Sequence, residues 1–218
     1  MASVNRNHRF RRIKATEIQS RATVALARGL LGKYLVRSRG GRRTAHLITE
    51  VEAYHSSRDR ACHASRGRTR RTETLFAAGG VWYVYLCYGV HEMLNLVTGP
   101  RDFPAAVLIR GVDGIAGPGR VTRALGVDRR LNGAPCAPRS GLWIEDRGVR
   151  VPRGAIVATP RIGVAYAGPV WARKPWRFVL TDFPLKRCRA ASAHAAESSW
   201  GGVRRPRPTV HRPETHRG

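Results

Sequence analysis

Apolar residues recur along this chain at two spacings, and the changes between them mark out the elements. Over residues 21–31, RATVALARGLL, Val24, Ala27 and Leu31 fall at i, i+3 and i+7, one face of an amphipathic helix. Ser20 is placed to cap its start and Gly32 to supply a left-handed stop. KYLVRS then reads as a strand, the Gly40–Gly41 pair turns the chain, and RTAHLITEVEAY returns as a longer strand. VWYVYLCY and AAVLIRGV are two further strands. GPGRVTRALGV reads as a tight turn opening a short helix, and RGAIVATPRIGV and WRFVLTDF as late strands. Strands outnumber helices and alternate irregularly with them, which predicts an α+β fold around a mostly antiparallel sheet. No linker or internal repeat interrupts the pattern, so one domain is expected over 15–185. The Arg-rich first 14 residues lack apolar periodicity and read as a flexible basic arm. Residues 186–218, rich in Arg, Pro and small side chains, read as a disordered basic tail.

Charge changes the picture next. The 218 residues carry 40 Lys+Arg against 14 Asp+Glu, a formal net charge of +26. Such an excess favours phosphate polyanions, nucleic acid or an anionic membrane surface. The membrane reading is the weaker, because no apolar run is long enough to span a bilayer. The basic N-terminus is not followed by an apolar segment of signal-peptide type, so the expected location is the cytoplasm. The four cysteines form no C-x-x-C pair, and the eight histidines form no H-x-x-x-H or H-E-x-x-H pattern. Neither a metal nor a cofactor is called for, and a metal-dependent nuclease is the least supported of the nucleic-acid functions.

Two segments could carry chemistry. Alternation along HLITEVEAYH puts Leu47, Thr49, Val51 and Ala53 on one strand face and Ile48, Glu50, Glu52 and Tyr54 on the other. That second face is either a solvated polar side or a carboxylate held in a basic cleft as a general base. In VWYVYLCYG, Tyr83 and Tyr85 share a face, whereas Tyr88 breaks parity at a turn before Gly89. These rings either pack a core or stack on nucleobases, and an aromatic at an exposed turn could wedge into a duplex. Asn95 ends the HEMLN run, and Arg110 lies at the end of the apolar AAVLIRG strand, where a charge often simply reaches solvent. The backbone amides of GPGR could hold a phosphate, but any turn offers as much.

In this order and at these spacings, ARGLLGKYLVR, ITEVEAY, RACHASRGRTRRTETLF, YVYLCYGVHEMLN, AAVLIRG, GPGRVTRALGV and RIGVAYAG with WARKPWRF resemble the alkyladenine (3-methyladenine) DNA glycosylase family over roughly residues 15–182. The resemblance implies a curved antiparallel sheet with flanking helices, similar to a formyltransferase C-terminal domain. It implies base-excision repair, in which a damaged purine, alkylated or etheno-modified, is flipped from double-stranded DNA and its N-glycosidic bond is cleaved by water. By the same resemblance Glu52 activates the water and Arg110 helps position it. Tyr54, His63 and Tyr85 sandwich the base, and the backbone of Ala61 and His63 meets its edge. Tyr88 fills the vacated space, and Asn95 crowds the purine 2-position. No lysine nucleophile is implied, so the enzyme would be monofunctional, leaving an abasic site, and a monomer suffices. Several positions depart from the family pattern: Ala64 follows His63, Arg71-Thr72 stands where Arg-Asn is usual, Val90 follows Tyr88-Gly89, and the connector GVDGIA is short. The alternative is a degenerate or non-enzymatic nucleic-acid binder.

Overall fold

The computed structural model describes residues 10–181. In chain order its elements are β1 (Arg11–Arg12), α1 (Ala15–Ile18), α2 (Thr23–Leu30), β2 (Tyr34–Arg39), β3 (Arg42–His55), β4 (Trp82–Cys87), β5 (His91–Val97), β6 (Ala105–Val112), β7 (Ile115–Ala116), α3 (Pro118–Leu125), β8 (Leu142–Asp146), β9 (Ile156–Thr159), α4 (Gly168–Ala172) and β10 (Arg177–Leu180). The strands form a single curved sheet, in the order β1-β8-β2-β3-β6-β5-β4, with β10 and β9 added beside β3 and β7 beside β6. Every pairing among the described strands is antiparallel. The α+β expectation therefore holds. No described helix is long and apolar enough to cross a membrane.

β3 is the axis of the sheet. Residues 42–47 pair with β2, residues 48–55 with β6, and residues 50–52 with β10. The Glu50–Glu52 stretch is thus hydrogen-bonded on both edges, which fixes where its side chains point. A bulge interrupts the β3–β6 register between Ile48 and Val51. Alternation breaks there, so Ile48 packs in the main core with Val51 and Ala53 rather than on the carboxylate face as simple parity predicts. Gly111 lies opposite the bulge, where an added Cβ would sit 3.0 Å from the Cβ of Glu50. A side chain there would push against Glu50, so glycine suits the close approach of the two strands.

Helices α2 and α3 lie on the sheet and close the main core around Ala27, Leu35, Ile48, Trp82, Leu94, Ile109, Val121 and Leu125. Trp82 is fully buried, and its indole N–H donates to the Leu142 carbonyl at 3.0 Å. Strand parity in β4 places Trp82 and Val84 in this core and sends Tyr83 and Tyr85 to the opposite face. There they join a smaller cluster with Cys62, Ala64, Leu75, Val97 and Ala106.

Three boundaries differ from the sequence reading. Helix α2 begins at Thr23, and Ser20 is not its cap; the Ser20 hydroxyl accepts from the Ala22 N–H at 3.1 Å, a local turn that precedes the helix. The described part of the expected basic arm is folded: Arg11 and Arg12 pair with β8, and Ile13 enters the main core. Its charge run hid a single apolar anchor, with Arg11 paired to Glu17 and Asp146. The short connector after Arg110 is a hairpin, β6 turning through Asp113-Gly114 into β7. The expected tail, 186–218, lies outside the described residues.

Candidate active site

The second face of β4 opens on a cavity of about 620 Å³, within the usual range for a small-molecule site of about 300–1,000 Å³. Strand β3 contributes Tyr54, β4 Tyr83 and Tyr85, β5 Asn95 and β6 Arg110. The loop after β3 supplies Ala61 and His63, the β4–β5 turn supplies Tyr88, and the loop after β9 supplies Ile162 and Tyr166. Seven of the eight residues singled out in the sequence, all but Glu52, line this one cavity.

Glu52 sits one layer behind the cavity wall and is 0% exposed. Three of its hydrogen-bond donors line the cavity. Its Oε2 accepts from the Tyr54 hydroxyl at 2.8 Å and, loosely, from Arg110 Nη1 at 3.4 Å, and its Oε1 accepts from the Ile162 N–H at 2.8 Å. Arg110 does not reach for solvent. Its Nε donates to Glu50 Oε1 at 3.1 Å, an oxygen that also accepts from Arg177 Nε at 2.6 Å. Arg110 therefore bridges the two carboxylates, and its guanidinium is held where it faces both Glu52 and the cavity. Burial, then the adjacent Glu52 charge, pushes the Tyr54 phenol well above its ordinary value, so it remains a donor.

His63 and Tyr85 form one aromatic wall, edge to face with ring centroids 4.6 Å apart. Tyr83 supports both: its ring lies 5.2 Å from Tyr85, and its hydroxyl is 3.2 Å from His63 Nδ1. Desolvation, reinforced by Arg71 and Arg66, pushes His63 down to about 4, which leaves the ring neutral at physiological pH. The Ala61 N–H is already given to Asp59 Oδ1 at 3.0 Å, and the Ala61 carbonyl accepts from the Tyr166 hydroxyl at 3.0 Å. What Ala61 still offers a ligand is a carbonyl lone pair, not an N–H. Asn95 Nδ2 donates to the Tyr83 and Met93 carbonyls at 3.2 and 3.3 Å, which fixes the amide plane.

Tyr88 stands at the rim, 92% exposed, with φ of 50°; Gly89 follows at 70°, and the Val90 N–H closes on the Cys87 carbonyl at 3.1 Å. Two consecutive left-handed residues suit Asn or Gly first, not tyrosine. An aromatic ring is here presented to solvent in a backbone shape that disfavours it.

The model of the methylpurine-DNA glycosylase family matches residues 17–116 and 112–184, the two segments meeting in the short hairpin after Arg110. The chain belongs to that family. As a family member it is a DNA glycosylase, a hydrolase whose substrate is DNA. Its relatives agree. A protein of Anaeromyxobacter dehalogenans strain 2CP-C is 46% identical over 168 residues, 74% of this chain and 80% of its own length. One from Methanocella arvoryzae is 42% identical over 194 residues, 80% of this chain and 95% of its own. Both carry the name "Putative 3-methyladenine DNA glycosylase".

Reading the sequence of this glycosylase missed two features of the site. Arg71 lines the cavity with its guanidinium 5.4 Å from the Tyr85 ring centre. It sits in a run of arginines, and although the family resemblance matches it to the arginine of the usual Arg-Asn, nothing in the run marks it as facing the cavity. Asp59 and Arg161 form a fully buried ion pair behind Tyr54. An aspartate and an arginine 102 residues apart give no local signal; the one hint in the sequence is the scarcity of acids, which leaves each with many possible cationic partners.

Proposed function

We propose that this protein flips an alkylated or etheno-modified purine nucleotide out of duplex DNA into the cavity and hydrolyses its N-glycosidic bond. The observation that carries the proposal is the Glu52 carboxylate, held by Tyr54, Arg110 and Ile162 directly behind a cavity walled by tyrosines. In this reading the purine lies between Tyr54 on one side and the His63–Tyr85 wall on the other, with Asn95 limiting what fits at the purine 2-position. The attacking water in this reading sits on the cavity side of the Arg110–Glu52 contact, within reach of both groups, since their 3.4 Å separation leaves no room for it between them. The water oxygen bonds to C1′ and its proton passes to Glu52. The C1′–N bonding pair leaves with the base. Purines alkylated at N3 or N7 already carry positive charge, so they depart neutral and need little further help. Glu52 also offsets positive charge growing on the sugar. No lysine takes part, so the strand stays intact and the product is an abasic site. One extruded nucleotide needs one cavity, so the enzyme acts as a monomer.

Extrusion costs a few kcal/mol, least for a damaged or mispaired base. Stacking returns roughly 1–3 kcal/mol per base, so the aromatic wall together with Tyr88 in the vacated space offsets most of it. The net charge of +26 supplies sequence-independent attraction to phosphates. The test is a set of duplex oligonucleotides, each with one damaged purine, scored for free base by chromatography and for strand breaks before and after alkali. The proposal expects a released modified purine and breaks only after alkali. Binding with no base released from any lesion would leave the non-enzymatic binder as the better account.

A further inference from the structure

The fully buried Asp59–Arg161 pair takes no part in the chemistry just described, yet it touches most of the parts that do. Arg161 Nη1 donates to Asp59 Oδ2 at 2.6 Å and to the Ala53 carbonyl of β3 at 2.9 Å; Nη2 donates to Asp59 Oδ1 at 2.9 Å and to the Trp171 carbonyl of α4 at 3.2 Å. Both side chains are 0% exposed, and Arg161 Nε has no partner at all. The guanidinium carbon lies 4.8 Å from the Tyr54 ring centre and 5.1 Å from that of Trp176. Asp59 in turn accepts from the N–H groups of His55 and Ala61. The residue after Arg161 is Ile162, whose N–H holds Glu52 Oε1.

A buried ion pair is a poor way to stabilise a fold, since well-packed apolar residues of similar volume often do as well or better. What this one supplies is registration. One planar guanidinium ties β3, the loop that carries Ala61 and His63, the loop that carries Ile162, and α4 to a common origin, and its charged face backs the Tyr54 ring on the side away from the cavity. We infer that Asp59 and Arg161 are positioning residues, which set the Tyr54 ring and the Ile162 N–H at the distances that Glu52 requires. This inference rests on the glycosylase reading above.

The test combines Asp59→Asn with Arg161→Met, so that no unpaired charge is left buried; the single Asn oxygen can keep the bond from His55 or the one from Ala61, which in the wild type go to different Asp59 oxygens. Melting temperature, affinity for undamaged duplex and single-turnover excision from a lesion duplex are measured side by side. A folded double variant is expected to bind undamaged duplex as the wild type does while excision falls about 100-fold, the size of effect a 1 Å misplacement can have. Arg161→Lys, which keeps the charge but loses the planar fork, is expected to fall between the two. It also serves if the double variant does not fold. Excision within threefold of wild type, in a folded double variant or in Arg161→Lys, would overturn the inference and leave the glycosylase reading intact. A wild type inert on every lesion would overturn that reading, and this inference with it.

Discussion

Replacing Tyr88 by Asn should move stability and activity in opposite directions. Tyr88 is 92% exposed with φ of 50°, so its side chain has little packing to lose and its backbone is strained. A left-handed residue with a Cβ costs roughly 1–2 kcal/mol, and asparagine tolerates the shape better than tyrosine. Relief of part of that strain should raise unfolding free energy by about 0.5–1 kcal/mol, read as a later midpoint in urea with unchanged slope. The same change removes a ring able to replace lost base stacking, worth roughly 1–3 kcal/mol. If that stacking is felt in full when the nucleotide is extruded, the overall single-turnover excision constant at limiting enzyme falls about 5- to 150-fold. Fluorescence of 2-aminopurine beside the lesion reads extrusion separately from bond cleavage. Unchanged extrusion and excision would refute the wedge. A loss of stability beyond about 1 kcal/mol would show that Tyr88 packs against the fold, contrary to the argument from exposure.

Tyr54→Phe keeps the stacking ring and deletes the hydroxyl that donates to Glu52 at 2.8 Å. A hydrogen bond to a charged group contributes about 1.5–3 kcal/mol, so excision should slow by roughly 10- to 150-fold with undamaged-duplex affinity unchanged; an unaltered rate would mean that the hydroxyl serves the fold alone. His63, held down to about 4 in the folded protein, favours the neutral ring. The unfolded chain binds a proton near pH 6.5 that the native state refuses, so its contribution to stability is complete above 6.5 and is lost as pH falls toward 4. That contribution is at most about 3 kcal/mol, and urea titrations at several pH values should show His63→Gln with a flatter profile across this window; an identical profile would contradict the burial argument.

How much was legible in the sequence follows from how local each signal is. Strand β6 could be read as an unbroken apolar run, and the face shared by Tyr83 and Tyr85 by alternation, because both signals need only neighbours along the chain. Glu52, Tyr54, His63, Tyr85, Asn95 and Arg110 were singled out by the resemblance to the glycosylase family, which their order and spacing carry, and the structure gathers them at or directly behind one cavity. Parity failed at Ile48, because a bulge depends on Gly111 in the partner strand, which β3 alone does not reveal. Strand β8 went unread because LWIED is short and follows a loop rich in Pro and Arg. Which backbone group Ala61 can offer the edge of the base could not be judged without knowing that Asp59 takes its N–H. The pairing of Asp59 with Arg161 is a tertiary fact with no periodicity behind it.

The central claim is that Glu52 activates the water. Glu52→Gln preserves size and the hydrogen bonds from Tyr54 and Ile162 to its oxygen atoms as far as one carbonyl can, but it cannot take a proton. With folding and lesion-duplex affinity verified, single-turnover excision of a neutral etheno purine by this variant should fall at least ~100-fold, the lower end of what a positioned general base contributes. Excision at the wild-type rate would contradict the account.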